Sequence, residues 1–181
     1  MAVSALLCGV ALASLASCAG DKADTSKQAT ATASGGPAAP DCRARDLRIL
    51  KGSSNGATGH IVLGFRIQAV SGPRCSLYGF PRVALLPRTG RLRRVTVEPR
   101  SSDFFGHVPK RVVIVPPGGL ASFRLSLEDA INGGDCPFAR GLRVTVPGDP
   151  QPRVLRERFL ACPGGVTVSP VARGRSAYQA G

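Results

Sequence analysis

Ser102, Asp103 and His107 sit within six residues and carry a hydroxyl, a carboxylate and an imidazole, the groups of nucleophilic acyl transfer. A triad is defined by geometry, however, and no G-x-S-x-G turn or comparable nucleophile context surrounds Ser102. A polar loop with an exposed histidine explains the trio more simply, leaving hydrolysis by His107 and a carboxylate as the enzymatic alternative. Glu98, Asp103, Glu128, Asp129 and Asp135 offer carboxylates for glycoside hydrolysis, but nothing in their spacing sets two apart. Copper would call for Met or His clusters, or Cys between two His. The chain has one Met, at position 1, and two histidines, His60 and His107. No catalytic residue, metal or cofactor is expected.

Recognition is the other chemistry on offer. Lys and Arg number 24 against 11 Asp and Glu, giving a formal charge of +13, and 20 of the basic residues are Arg. The whole excess falls in residues 41–181. Such a surface attracts phosphate polymers and lipid head groups, although charge by itself argues only solubility and non-specific attraction. Arg88, Arg91, Arg93, Arg94 and Arg100, with Lys110 and Arg111 beyond, form the densest cluster. Exposed strand faces account for it, and an anion-binding surface is the functional alternative. Nucleic-acid binding needs stacking aromatics or a reading element; aromatics are 5% of residues with no Trp, so it is not expected. Phe104-Phe105 reads as a loop folding back to plug the open end of a sandwich, with a partner-contact loop as the alternative.

The cysteines locate the protein. Residues 1–18 are a short apolar block suited to a secretory signal and too short for a comfortable permanent span. Its end, Leu15-Ala16-Ser17-Cys18, resembles the bacterial lipobox, in which only Cys supplies the thiol for a diacylglyceryl thioether. Residues 1–17 are therefore expected as a lipoprotein signal peptide and Cys18 as the lipidated residue, holding the protein on the outer face of the cell membrane. The block carries no Lys or Arg, so either the true start lies upstream or the Met1 amine suffices. Residues 19–40 contain no Val, Leu, Ile or aromatic residue and cannot repay the entropy of folding. They form a disordered tether with a contour of roughly 75 Å, whose Ser and Thr residues permit O-glycosylation.

Four cysteines remain: Cys42, Cys75, Cys136 and Cys162. Outside the cell an even number implies two disulfides, for which three pairings exist. If flanking strands pair as hairpins, Cys42 meets Cys75 and Cys136 meets Cys162. A zinc site lacks the C-x-x-C or Cys/His spacing it would need.

The elements that position these groups are short strands separated by the 22 Gly and 15 Pro. Ile61, Leu63, Phe65, Ile67 and Ala69 alternate with Val62, Gly64, Arg66, Gln68 and Val70. Cys75 to Val83 turns a corner at Gly79 and Pro81 into Val83 and Leu85, and Pro87-Arg88-Thr89-Gly90 should return the chain through 92–97 as a hairpin. Residues 99–110 read as a long loop and 112–115 as a strand. Ala121, Phe123, Leu125 and Leu127 then face inward against Ser122, Arg124 and Ser126. Strands over 142–146, 154–160 and 166–168 complete eight or nine, and 172–181 read as a disordered tail. The fold class is all-β, an antiparallel Ig-like or Greek-key sandwich over 41–171.

Cys42-Arg-Ala-Arg-Asp-Leu47, Gly59, Cys75-Ser-Leu-Tyr-Gly79-Phe80-Pro81, Pro117-Gly118, Ala121, Phe123, Cys136 and Val168-Ser-Pro-Val171 occur in an order that resembles a domain of unknown function common in actinobacterial cell-envelope lipoproteins. The resemblance implies a secreted sandwich and brings no catalytic residues. The family usually carries Asn near the end of the long strand, where this chain has Ala69; if that Asn closes the turn by bonding to backbone, this chain needs another route. Together these features describe a lipid-anchored, non-catalytic binding or structural module, with anionic envelope polymers or another envelope protein as partners.

Overall fold

The computed structural model describes residues 38–87, 95–128, 137–161 and 165–178. Within them the chain is all-β and mostly antiparallel. A 3-10 turn, Ala44–Asp46, leads into β1 (Leu47–Ala57) and β2 (His60–Ala69). β3 (Cys75–Tyr78), β4 (Arg82–Pro87) and β5 (Val97–Pro99) follow, then a small hairpin of β6 (Ser102–Asp103) and β7 (Gly106–His107). The rest is β8 (Val112–Val115), β9 (Leu120–Glu128), β10 (Phe138–Thr145), β11 (Pro152–Leu155), β12 (Phe159–Leu160), β13 (Val166–Val168) and β14 (Ala172–Arg173). The larger sheet runs β1-β2-β9-β13-β5, with β14 also on β9; a smaller one joins β4, β11 and β12 to β10, and β3 pairs with β8.

One apolar cluster draws on all three sheets. Phe65 and Ile67 of β2, Phe123 and Leu125 of β9, Leu142 and Val144 of β10, and Leu77 and Val113 of the β3–β8 pair bury together. This is the inner half of each alternating strand, as period-2 patterning requires. Phe65 stacks on Phe123 with ring centroids 5.1 Å apart, and the two are register partners across β2 and β9.

The corner at Gly79 forms as expected. The chain leaves β3 and enters β4 in a different sheet, passing through Gly79 at φ 99°, a conformation that a Cβ disfavours. Cys42 and Cys75 are joined by a disulfide. Backbone bonds brace it, Cys42 N–H donating to Ser76 O at 3.0 Å and Ser76 N–H to Pro40 O at 2.8 Å. Asp46 closes the turn after Ala69: its carbonyl accepts from Val70 N–H at 2.9 Å and its carboxylate from the Ser71 hydroxyl at 2.9 Å.

Three sequence expectations need correction. The first half of the return expected through 92–97 lies outside the described residues; where the chain is described, β4 pairs with β10. The described end of the return continues into β5, which lies parallel to β13 in the larger sheet; as an edge strand, β5 accommodates Pro99, which has no N–H to donate. The loop over 99–110 contains the β6–β7 hairpin. Residues 172–178, expected to be disordered, are seated: β14 pairs Ala172 with Ser122 and Arg173 with Ala121, and Ala177 is buried. The pairing expected for Cys136 and Cys162 falls outside the described residues.

The bridge closes a sequence separation of 33. Replacing both Cys42 and Cys75 by Ser is expected to lower unfolding stability by about 4 kcal/mol in the loop-entropy model, measured as a drop in the urea midpoint with a slope equal to or above the wild type's, since the unfolded chain is freed.

Candidate functional site

Ser122, Arg124 and Ser126 project from the face of β9 opposite the core, yet all three are buried, Arg124 to 1% exposure. Two segments cover them. The β6–β7 hairpin comes down over one side and the chain after β14 over the other, bringing Val108, Ala172 and Ala177 into a second small apolar cluster. The Arg124 guanidinium joins the two covers to the sheet. Its Nε donates to Asp103 Oδ2 at 2.9 Å, and Nη2 donates to Asp103 Oδ1 and to Gly106 O, both at 2.7 Å. Nη1 donates to Ala177 O at 3.0 Å, and the Tyr178 ring lies 5.9 Å from the guanidinium carbon.

Local sequence explains why this side chain fits here. Gly64 is the register partner of Arg124 on β2, and a Cβ on Gly64 would stand 2.7 Å from Ser53 O and 3.2 Å from the Tyr178 ring. The missing side chain is what lets the Tyr178 ring approach the sheet at Gly64, where its hydroxyl donates to Val62 O at 3.0 Å. Burial pushes the Tyr178 phenol up to about 12, with Arg124 opposing and Asp103 reinforcing the shift.

Beside this clamp lies a cleft of about 250 Å³. Its floor is a cross-strand row, Ser126 of β9 opposite Thr167 of β13 opposite Glu98 of β5. His60 and Phe104 line one side with rings stacked at 4.2 Å and inclined by 11°. Arg100 also lines it, its guanidinium donating to Glu98 at 3.1 Å. Phe104 reaches this place because Asp103 Oδ1 also accepts the Phe105 N–H at 2.8 Å, tightening the hairpin turn. Phe104 remains 53% exposed. It stacks on His60 over the outer face of the sheet, where the sequence suggested a plug for the end of the sandwich. Phe105 meets it edge-on at 5.3 Å.

The Ser102 hydroxyl lies 2.9 Å from His107 Nδ1, both exposed. Asp103, the third member of the supposed trio, has both carboxylate oxygens engaged by Arg124. The structure therefore brings serine to histidine and takes the acid away from them. Lys110 and Arg111 are exposed, with the Lys110 ammonium 5.6 Å from the Tyr78 ring centroid. Arg100 joins the cleft, whereas Arg88, Arg91, Arg93, Arg94 and Cys18 lie outside the described residues. Among the described residues no group of three or more His, Cys, Asp or Glu is placed to hold a metal ion. Arg124 was missed by sequence reasoning. The one available signal was that its same-face neighbours on β9 are both Ser, small enough to let other chain segments close over a long side chain.

The model of the domain of unknown function DUF4232 matches residues 42–173. The chain belongs to that family. The DUF4232 match ends at Arg173, within β14, so it takes in the strand that begins the cover over Arg124. No curated protein and no solved structure matches the chain.

Asp103→Ala would leave the Arg124 guanidinium buried without its acid and is expected to cost about 3–5 kcal/mol, read by chemical denaturation. Arg124→Met with Asp103→Leu should recover much of that loss. Tyr178 binds its proton more tightly folded than unfolded, so its contribution is complete below pH 10 and is lost as pH rises toward about 12. Thermal melts across this window are expected to show a steeper fall for the wild type than for Tyr178→Phe.

Proposed function

We propose that this DUF4232 protein is a lipid-anchored, extracytoplasmic binding module that presents a two-disulfide, Ig-like or Greek-key β-sandwich at the outer face of the cell membrane. The observation that carries the binding role is the pre-formed cleft beside Phe104, on a hairpin fixed from beneath by a buried arginine. Sites held by rigid supports bind with less ordering cost than mobile loops do. The Cys42–Cys75 disulfide supports an oxidising compartment. The Leu15-Ala16-Ser17-Cys18 motif supports anchoring through Cys18, with residues 19–40 as the tether and Cys136–Cys162 as the second bridge. Anionic envelope polymers on the basic surface, or another envelope protein, are the partners the charge favours.

A hydrolase is the second reading, favoured only by the 2.9 Å contact between Ser102 and His107. A histidine general base is ordinarily oriented by an acid, and Asp103 is given over to Arg124.

Two measurements test the proposal. Cys18→Ala is expected to move the protein from the membrane fraction to the soluble fraction and to abolish palmitate incorporation; continued membrane association would remove the anchor from the account. A photo-crosslinker at Phe105 in intact cells is expected to trap a discrete envelope component. Cells in which it traps nothing, or in which His107→Ala abolishes a hydrolytic activity of the purified protein, would contradict a non-catalytic binding module.

A further inference from the structure

The lining of the cleft selects among ligand classes by its charge and by the shape of its groups. Every described carboxylate and guanidinium at the site already has an opposite. Glu98 is bonded by Arg100 at 3.1 Å, and Asp103 by Arg124 at 2.7 Å. A phosphate or carboxylate entering here would have to displace Glu98 from Arg100, or leave Glu98 facing a like charge. The remaining polar groups are the His60 imidazole and the hydroxyls of Ser126, Thr167 and Ser102, the last already bonded to His107 Nδ1. Beside them stands the Phe104 ring, backed by the stacked His60 and with its other face left available.

We infer that the cleft binds an uncharged carbohydrate, one or two rings at a time, with a sugar face against Phe104 and its hydroxyls on Glu98, Arg100 and Thr167. The inference rests on the binding-module reading and gives the cleft a ligand class of its own, apart from the anions that the basic surface attracts. A pyranose has an apolar face whose C–H bonds carry partial positive charge, which suits the electron-rich face of an aromatic ring. Around its rim run hydroxyls that need both a donor and an acceptor, and a carboxylate beside a guanidinium supplies the two in one plane with charge-assisted strength. The cleft, about 250 Å³, falls just under the range of about 300–1,000 Å³ for sites that enclose drug-sized ligands. A polymer read one short segment at a time needs no larger enclosure. The clamp from Arg124 to Asp103 and Gly106 O holds the hairpin that carries Phe104, so the aromatic surface is in place before a ligand arrives.

The full-length chain in lauryldimethylamine oxide micelles, which contain no sugar, can be titrated with chitotetraose, maltotetraose and mannotetraose, with polyphosphate as the anionic probe. Saturation-transfer NMR reports binding. At least one of the three neutral oligosaccharides is expected to bind saturably without displacement by polyphosphate. Phe104→Ala should weaken that binding at least tenfold and Arg100→Ala several-fold, both side chains being largely exposed so that the melting temperature stays near the wild-type value. No saturable binding of any of the three, affinity unchanged by Phe104→Ala, or displacement by polyphosphate would each overturn the inference. A protein trapped by the crosslinker at Phe105 while no oligosaccharide binds would sink the carbohydrate and leave the binding module standing. Failure of both experiments would remove both.

Discussion

A guanidinium taken out of water is costly unless its N–H groups find acceptors, and the outer face of β9 is organised around meeting that condition for Arg124. Four of its five donors are satisfied: three by the β6–β7 hairpin, through Asp103 and Gly106 O, and one by Ala177 O. These acceptors come from positions 21, 18 and 53 residues away, so the bonds tie the hairpin and the C-terminal segment to one side chain of the sheet. The same demand fixes the order of events in energetic terms. The cover must close for the charge to be tolerated, and the charge gives the cover its specificity, since backbone carbonyls and a carboxylate must all arrive in one plane.

The larger sheet consequently has two different faces. On one, Phe65, Phe123 and Leu125 bury against the other sheets in a non-directional apolar core. On the other, polar side chains are buried under a hairpin and a C-terminal strap, with a small apolar filling of Val62, Val108, Ala172 and Ala177 among the described residues. Directional bonds do there what area does on the core side. Where the cover stops, the cross-strand row that starts at the buried Ser126 opens through Thr167 to the exposed Glu98 as the floor of the cleft. The cleft therefore follows from the clamp: without the hairpin fixed over Arg124, Phe104 would have no set position over His60.

Much of this was legible in the sequence where the cause is local. Alternation over 61–69 places β2 and its inner face, and the Cys42–Cys75 bond follows from two strands that pair as neighbours. Gly79 and Pro81 mark the corner because of what each forbids the backbone. Arg124 was not legible. In Ser122-Arg124-Ser126 the polar half of an alternating strand reads the same whether water or another part of the chain covers it. The segment 172–178, rich in Gly, Arg and Ser, has a frayed composition, and its order comes from partners on β2 and β9. Ser102, Asp103 and His107 suggested a common purpose by proximity alone, and a long-range contact from Arg124 divided them.

The Nε–H of Arg124 offers the most direct view of this arrangement, because an arginine Nε proton in water exchanges quickly and one buried on a carboxylate does not. In a 15N-labelled sample of the full-length chain moved into D2O, its resonance is expected to persist long after those of the exposed arginines have vanished, and to be lost in Asp103→Ala. An Arg124 Nε–H that exchanges as fast as the others would mean that the guanidinium is solvated, and the clamp, the covered face and the positioned Phe104 would all be contradicted.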